Sequence, residues 1–211
     1  MSASCSHGHH HHVVPDADGA YRKVLWLALG INAVMFGVEV AASFGAGSAA
    51  LLADSLDFLG DAANYGISLL VLGMSLAWRA RASLLKAASM AVFGLWVAGT
   101  AAHHAVTGIV PDAQVMGLVG VLALTANIGT AALLFRHRDG DSNRRSVWIC
   151  TRNDAIGNLA VLGAALGVFG TGTLWPDFIV ATIMAALALW GAAQVMRQAA
   201  GELRTTHATA H

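Results

Sequence analysis

Six apolar stretches, each long enough to cross a lipid bilayer, divide nearly the whole chain at approximately 24–44, 49–78, 84–106, 114–135, 147–169 and 178–199. A spanning helix needs roughly 20 residues, because the hydrocarbon layer is about 30 Å thick and each helical residue advances about 1.5 Å. Lipid offers the backbone no hydrogen-bond partner, so a stretch of this length must satisfy its own amides, which an α-helix does. Charge confirms the choice of solvent. Only 11% of the 211 residues are charged and 56% are hydrophobic, whereas soluble domains carry about 25% charge. The expected fold is all-α: a polytopic membrane protein built as a six-transmembrane-helix bundle.

The separators, GIVPD, RHRDGDSNRR and GTGTLWPD among them, are short and rich in turn formers and charge. Pro176 stands where the last helix should begin, a position proline tolerates. Lys and Arg collect on the cytoplasmic side of membranes. Here Arg22 and Lys23 precede the first span, Arg79, Arg81 and Lys86 follow the second, Arg136, Arg138, Arg144 and Arg145 follow the fourth, and Arg197 and Arg204 follow the sixth. The other three connections hold none, so both termini are expected in the cytoplasm, with Arg152 alone inside a span. The chain then divides into a His-rich cytoplasmic tail at 1–21, a transmembrane domain at 22–200 and a short cytoplasmic tail at 201–211. A formal net charge of zero gives nucleic-acid binding no electrostatic support. Cys5 and Cys150 do not indicate a disulfide framework. The polar N-terminus lacks a cleavable signal, and no organelle-targeting segment is visible, which makes a bacterial-type inner membrane the simplest location. Gly- and Ala-rich runs such as MAALALWGAA suit close helix packing.

Against this background the second span carries three carboxylates, Asp54, Asp57 and Asp61. A carboxylate at the middle of a membrane helix costs about 2.5–3.5 kcal/mol on insertion scales, so it faces a bundle interior where an ion or partner compensates it. Asp57 and Asp61 are four residues apart and share a helix face, with Asp54 roughly on the same side. Cys150 and Asp154 repeat the spacing on the fifth span. Two helices presenting a pair each could close four ligands around one cation, the coordination number of a tetrahedral transition-metal site. Oxygen ligands alone suit Mg²⁺, Ca²⁺ or Mn²⁺, and a thiolate moves preference toward Zn²⁺ or Cd²⁺. Cys150 could equally be a small buried hydrophobe.

The string SAALLADSLDFLGDAANYGISLLV closely resembles the second transmembrane helix of the cation diffusion facilitator family, and RNDAIGNLAVLGAALG is similar to that family's fifth. VEVAASFGAGSAALLAD and TLWPDFIVATIMAAL extend the likeness over nearly the whole chain. The resemblance implies export of divalent metal ions by proton antiport, with Asp57, Asp61, Cys150 and Asp154 as the transport ligands. The family has His or Asp where Cys150 stands, so Asn153, Asn158 or water could complete the shell, while Asp54 matches an acidic position that supports structure or ion access. Members commonly carry a cytoplasmic ferredoxin-like domain after the sixth helix; here GELRTTHATAH follows, so a short form is expected and a homodimer would rest on the transmembrane helices.

Weaker polar features fit structural roles. Glu39 is expected to be a packed polar group, Asp177 a carboxylate at its own helix N-terminus, Asn32 and Asn127 cross-helix hydrogen-bonding elements, and His103 and His104 solvated interfacial residues. The tail residues His7, His9, His10, His11 and His12 suit weak metal collection. The expected function is efflux of Zn²⁺, with Cd²⁺, Co²⁺, Fe²⁺ and Mn²⁺ as further substrates. The partners are metal ions, protons and the lipid membrane, with no cofactor and no enzymatic activity. The alternative is a non-transporting metal-responsive or assembly subunit.

Overall fold

The computed structural model describes residues 15–70, 76–136 and 142–208, and side chains over 19–70, 81–136, 154–197 and 199–200. Six helices occupy them: α1 (Pro15–Ala46), α2 (Ala49–Leu70), α3 (Leu76–Thr107), α4 (Ala113–Phe135), α5 (Ser142–Thr171) and α6 (Trp175–Ala208), with no strand among the described residues. Five of the described helices are long and apolar enough to cross a membrane by length and composition. The sixth, α2, has 22 residues, or about 33 Å at 1.5 Å per residue. Its three aspartates set it apart from the others.

Tight turns join the helices at one end. Gly47 (φ 64°), Gly108 (φ 71°) and Gly172 (φ 62°) follow α1, α3 and α5 in the left-handed conformation that ends a helix without a Cβ clash. The Asp112 amide donates to the Ala46 carbonyl at 2.8 Å, tying the connection after α3 to the end of α1. Asp112 also caps α4 through the amides of Gln114 and Val115 at 2.9 and 3.1 Å. At the opposite end, Tyr21 and Leu25 of α1 pack with Leu69 of α2 and Leu134 of α4. The helices therefore alternate in direction. Arg22, Lys23, Arg81, Lys86, Arg136 and Arg197 fall toward this second end, the side on which the alternation of basic connections predicts them to gather.

Helix boundaries differ from those expected. Helix α3 already runs from Leu76 and takes in the basic residues ahead of 84, and α5 already runs from Ser142, ahead of 147, while α2 is described as far as Leu70 and residues 71–75 lie outside the described residues. Hydropathy marks where lipid ends, but a helix ends only where its hydrogen-bond ladder does, so these helices project past the apolar layer.

Burial is arranged for lipid. Trp26, Leu27, Val34, Leu118, Leu166 and Trp190 are each more than half exposed, while Asn32, Glu39, Asp54, Ser55, Thr130 and Asn158 are completely buried. Water would penalise the first set, whereas hydrocarbon welcomes it and forces the polar groups inward. The protein is a multi-pass integral membrane protein. Within the bundle α2 packs against α1, α3, α5 and α6. Every residue from Ala49 to Leu56 is buried, so the helix bearing the carboxylates is enclosed at its N-terminal end.

Candidate metal-transport site

The N-terminal end of α2 is held by a carboxylate from another helix. Asp177, in the first turn of α6, accepts from Ser48 Oγ at 2.6 Å and from the Ala49 and Ala50 amides at 2.9 and 3.1 Å. Ser48 Oγ in turn accepts from the Leu51 amide at 3.1 Å. These bonds satisfy amides that a helix N-terminus otherwise leaves unpaired. Asp177 stands in the first turn of α6, as expected of a helix N-terminal carboxylate, and it also serves α2, because the turn from α5 to α6 brings it over that helix end.

Further in, α2 presents its aspartates to α5. Asp61 is nearly fully buried and accepts a 2.6 Å hydrogen bond from Tyr65 Oη, one turn along. Asp154 of α5 lies within hydrogen-bonding range of Asp61, with Asp57 and Asp54 as its further electrostatic neighbours. Gly157 lets the two helices approach: a Cβ there would sit 3.3 Å from Asp57 Oδ2 and 3.9 Å from Asp54 Oδ1. Three of the four expected ligands, Asp57, Asp61 and Asp154, thus share one interhelical space. Among the described residues no three His, Cys, Asp or Glu side chains already stand at metal-holding geometry. The side chains of Cys150 and Asn153, and the tail histidines His7 and His9–His12, lie outside the described residues.

Asp54 belongs to an adjoining polar chain. The Asn158 amide, oriented by its neighbours, donates to Asp54 Oδ1 and Oδ2 at 3.0 and 2.5 Å, and its oxygen accepts from Asn127 Nδ2 at 2.8 Å. Asn127 therefore bonds across helices as expected. Asn32 does not: its Nδ2 donates back to the Ala28 carbonyl of its own helix at 2.8 Å. Glu39 is packed inside the bundle as expected, and its carboxyl also meets that of Asp54 at hydrogen-bonding range. The signal was present, since an ionisable residue within a membrane helix warrants a functional hypothesis in its own right. His103 is exposed as expected, whereas His104 is half-buried with a fully enclosed Nδ1.

The family model described as the cation efflux transmembrane domain matches residues 25–203. The chain belongs to the cation efflux family. This member is also similar to the zinc transporter ZitB of Escherichia coli (strain K12) and to that of Shigella flexneri, each 27% identical over 211 residues covering 94% of this chain and 67% of the relative. The match spans all six helices, so the cation efflux assignment covers both the helix carrying Asp54, Asp57 and Asp61 and the helix carrying Asp154.

Proposed function

We propose that this protein exports divalent transition-metal ions, Zn²⁺ first among them, across a bacterial-type inner membrane by exchange for protons at Asp57, Asp61 and Asp154. The single observation that supports this most is the convergence of carboxylates from α2 and α5 inside a bundle whose outer surface is apolar. Three carboxylates without a cation would repel one another in a medium that screens charge poorly. A divalent ion turns that repulsion into ligation. The family and the ZitB relatives support the direction of transport and the choice of Zn²⁺. Cys150, one helical turn before Asp154, is the proposed fourth ligand and completes a tetrahedral set.

Carboxylates and a thiolate bind metal in their deprotonated forms, so loading releases protons and protonation releases the metal. If the site opens alternately to the two sides, ions leave outward as protons enter. Coupling then arises from competition for the same oxygens. The close approach at Gly157 makes a relative movement of α2 and α5 the natural way to open and close the site, in the manner of rocking bundles. A fully buried Asp54, held by Asn158, keeps the outer wall of the site in place while Tyr65 orients Asp61.

Purified protein in liposomes should move Zn²⁺, and Asp57→Ala or Asp154→Ala should stop it. Zn²⁺, Cd²⁺, Co²⁺, Fe²⁺ and Mn²⁺ flux all absent from the wild type, or unaltered in both variants, would refute the proposal. The first of those results would favour a non-transporting metal-responsive subunit.

A further inference from the structure

We propose that Glu39, Asp54 and Asn158 form a second divalent-cation site, one helical turn outward of Asp57, which receives the ion between the principal site and the outer face. The inference relies on the transport reading for the direction of travel, but not for the binding itself.

Glu39 and Asp54 are both completely buried, and their carboxyls meet at hydrogen-bonding range. Neither Glu39 oxygen has a hydrogen-bond donor among the described residues. A buried acceptor left without a partner is costly and calls for an unseen one. A single shared proton can join two facing carboxyls but leaves one negative charge buried, whereas a divalent cation placed between them compensates both charges.

The neighbouring amides can serve either state. With the Asn158 nitrogen toward Asp54, its oxygen takes the Asn127 Nδ2 proton and the site needs no ion. Asn127 Oδ1 is meanwhile buried without a donor. Turning both amides over preserves their mutual hydrogen bond, now from Asn158 nitrogen to Asn127 oxygen, and points the Asn158 oxygen at Asp54. Glu39, Asp54 and Asn158 would then offer two carboxylates and one amide oxygen to one hard or borderline cation, a set suited to Mn²⁺, Zn²⁺ or Cd²⁺ with water completing the shell.

The location suits an ion leaving the principal site. Asp54 is one turn from Asp57 toward the outer end of α2, and Glu39 is one turn from Ser43 on the same face of α1. Ser43 lines a cavity of about 400 Å³ at the outer end, together with Ser48, Leu52, Thr100, His103 and His104. The polar groups thus form a sequence from Asp57 through Asp54 and Glu39 to that cavity.

The test uses the full chain in lipid nanodiscs with His7, His9, His10, His11 and His12 replaced by alanine, so that the tail does not bind the probe. In an Asp57→Asn/Asp61→Asn/Asp154→Asn background, Cd²⁺ titration should reveal one remaining site per chain. Adding Glu39→Gln should weaken it by about tenfold or more, and Glu39→Asp should restore part of the loss. No Cd²⁺ binding in the triple variant, as a shared proton alone would give, or binding indifferent to Glu39→Gln, would overturn the proposal. Because the combined variant carries many changes, a second measurement uses Glu39→Gln alone in liposomes: Zn²⁺ kcat should fall about tenfold while KM stays within about twofold, since the principal site still loads. Unchanged kcat, or a rise in KM that accounts for the whole loss, would contradict a role in transit.

Discussion

Replacing Gly157 by alanine separates the stability of the bundle from the geometry of its carboxylates. The new Cβ would lie 3.3 Å from Asp57 Oδ2 and 3.8 Å from Met184 Cε, so the carboxylate must yield by a few tenths of an ångström. Helix propensity works the other way, because alanine in a helix interior is favoured over glycine by about 0.8–1.0 kcal/mol. Asp57 can move by rotating its side chain, so the fold should tolerate the change and the ligand position should not. A displacement of 1 Å in a working site can cost about 10²-fold, and a few tenths scaled on that basis give about three- to fivefold. Gly157→Ala should therefore show a thermal midpoint equal to or above wild type, with Zn²⁺ KM in liposomes raised about three- to fivefold. Gly163→Ala, on the same helix but with open space around the position, is the control and should leave transport unchanged. If both variants transport like wild type while Gly157→Ala is more stable, the carboxylate against Gly157 takes no part in ion binding.

Other substitutions probe the remaining contacts. Tyr65→Phe removes the 2.6 Å donor to Asp61; a hydrogen bond to a charged group is worth about 1.5–3 kcal/mol, and Zn²⁺ affinity by titration should weaken about tenfold. Asp177→Ala leaves the buried amides of Ala49 and Ala50 without their acceptor and should destabilise the protein by about 2–4 kcal/mol in detergent unfolding, with Asp177→Asn less severe. Cys150→Ser should lower Zn²⁺ and Cd²⁺ flux relative to Mn²⁺ by removing the soft donor; unchanged preference would remove Cys150 from the site.

Much of the architecture was legible because a bilayer imposes simple rules. Length, apolarity and the placement of Lys and Arg in alternate connections predict six antiparallel helices, and the structure brings Arg22, Lys23, Arg81, Lys86, Arg136 and Arg197 to one end. The spacing of Asp57 and Asp61 predicts one shared face of α2, and Asp154 of α5 lies within hydrogen-bonding range of Asp61; the side chain of Cys150, which the same spacing pairs with Asp154, lies outside the described residues. Spacing defines a face but not which neighbour covers it. The packed Glu39 of α1 therefore turns out to face Asp54, and Asp177, at the N-terminus of its own helix, also caps α2. Asn32 illustrates a different gap: a buried amide can bond across helices or back to its own fourth-preceding carbonyl, and sequence does not distinguish the two. Helix ends were misplaced for a related reason, since the hydrogen-bond ladder continues beyond the lipid.

The central claim is that metal and protons compete for the same carboxylates, and simultaneous recording of Zn²⁺ and pH in the same proteoliposomes tests it most directly. With a proton gradient imposed and no initial Zn²⁺ gradient, the wild type should drive Zn²⁺ against proton movement. Asp61→Asn should abolish the Zn²⁺ flux and the Zn²⁺-dependent proton flux together. Zn²⁺ movement indifferent to the proton gradient, or a coupled proton flux that survives Asp61→Asn, would contradict the account.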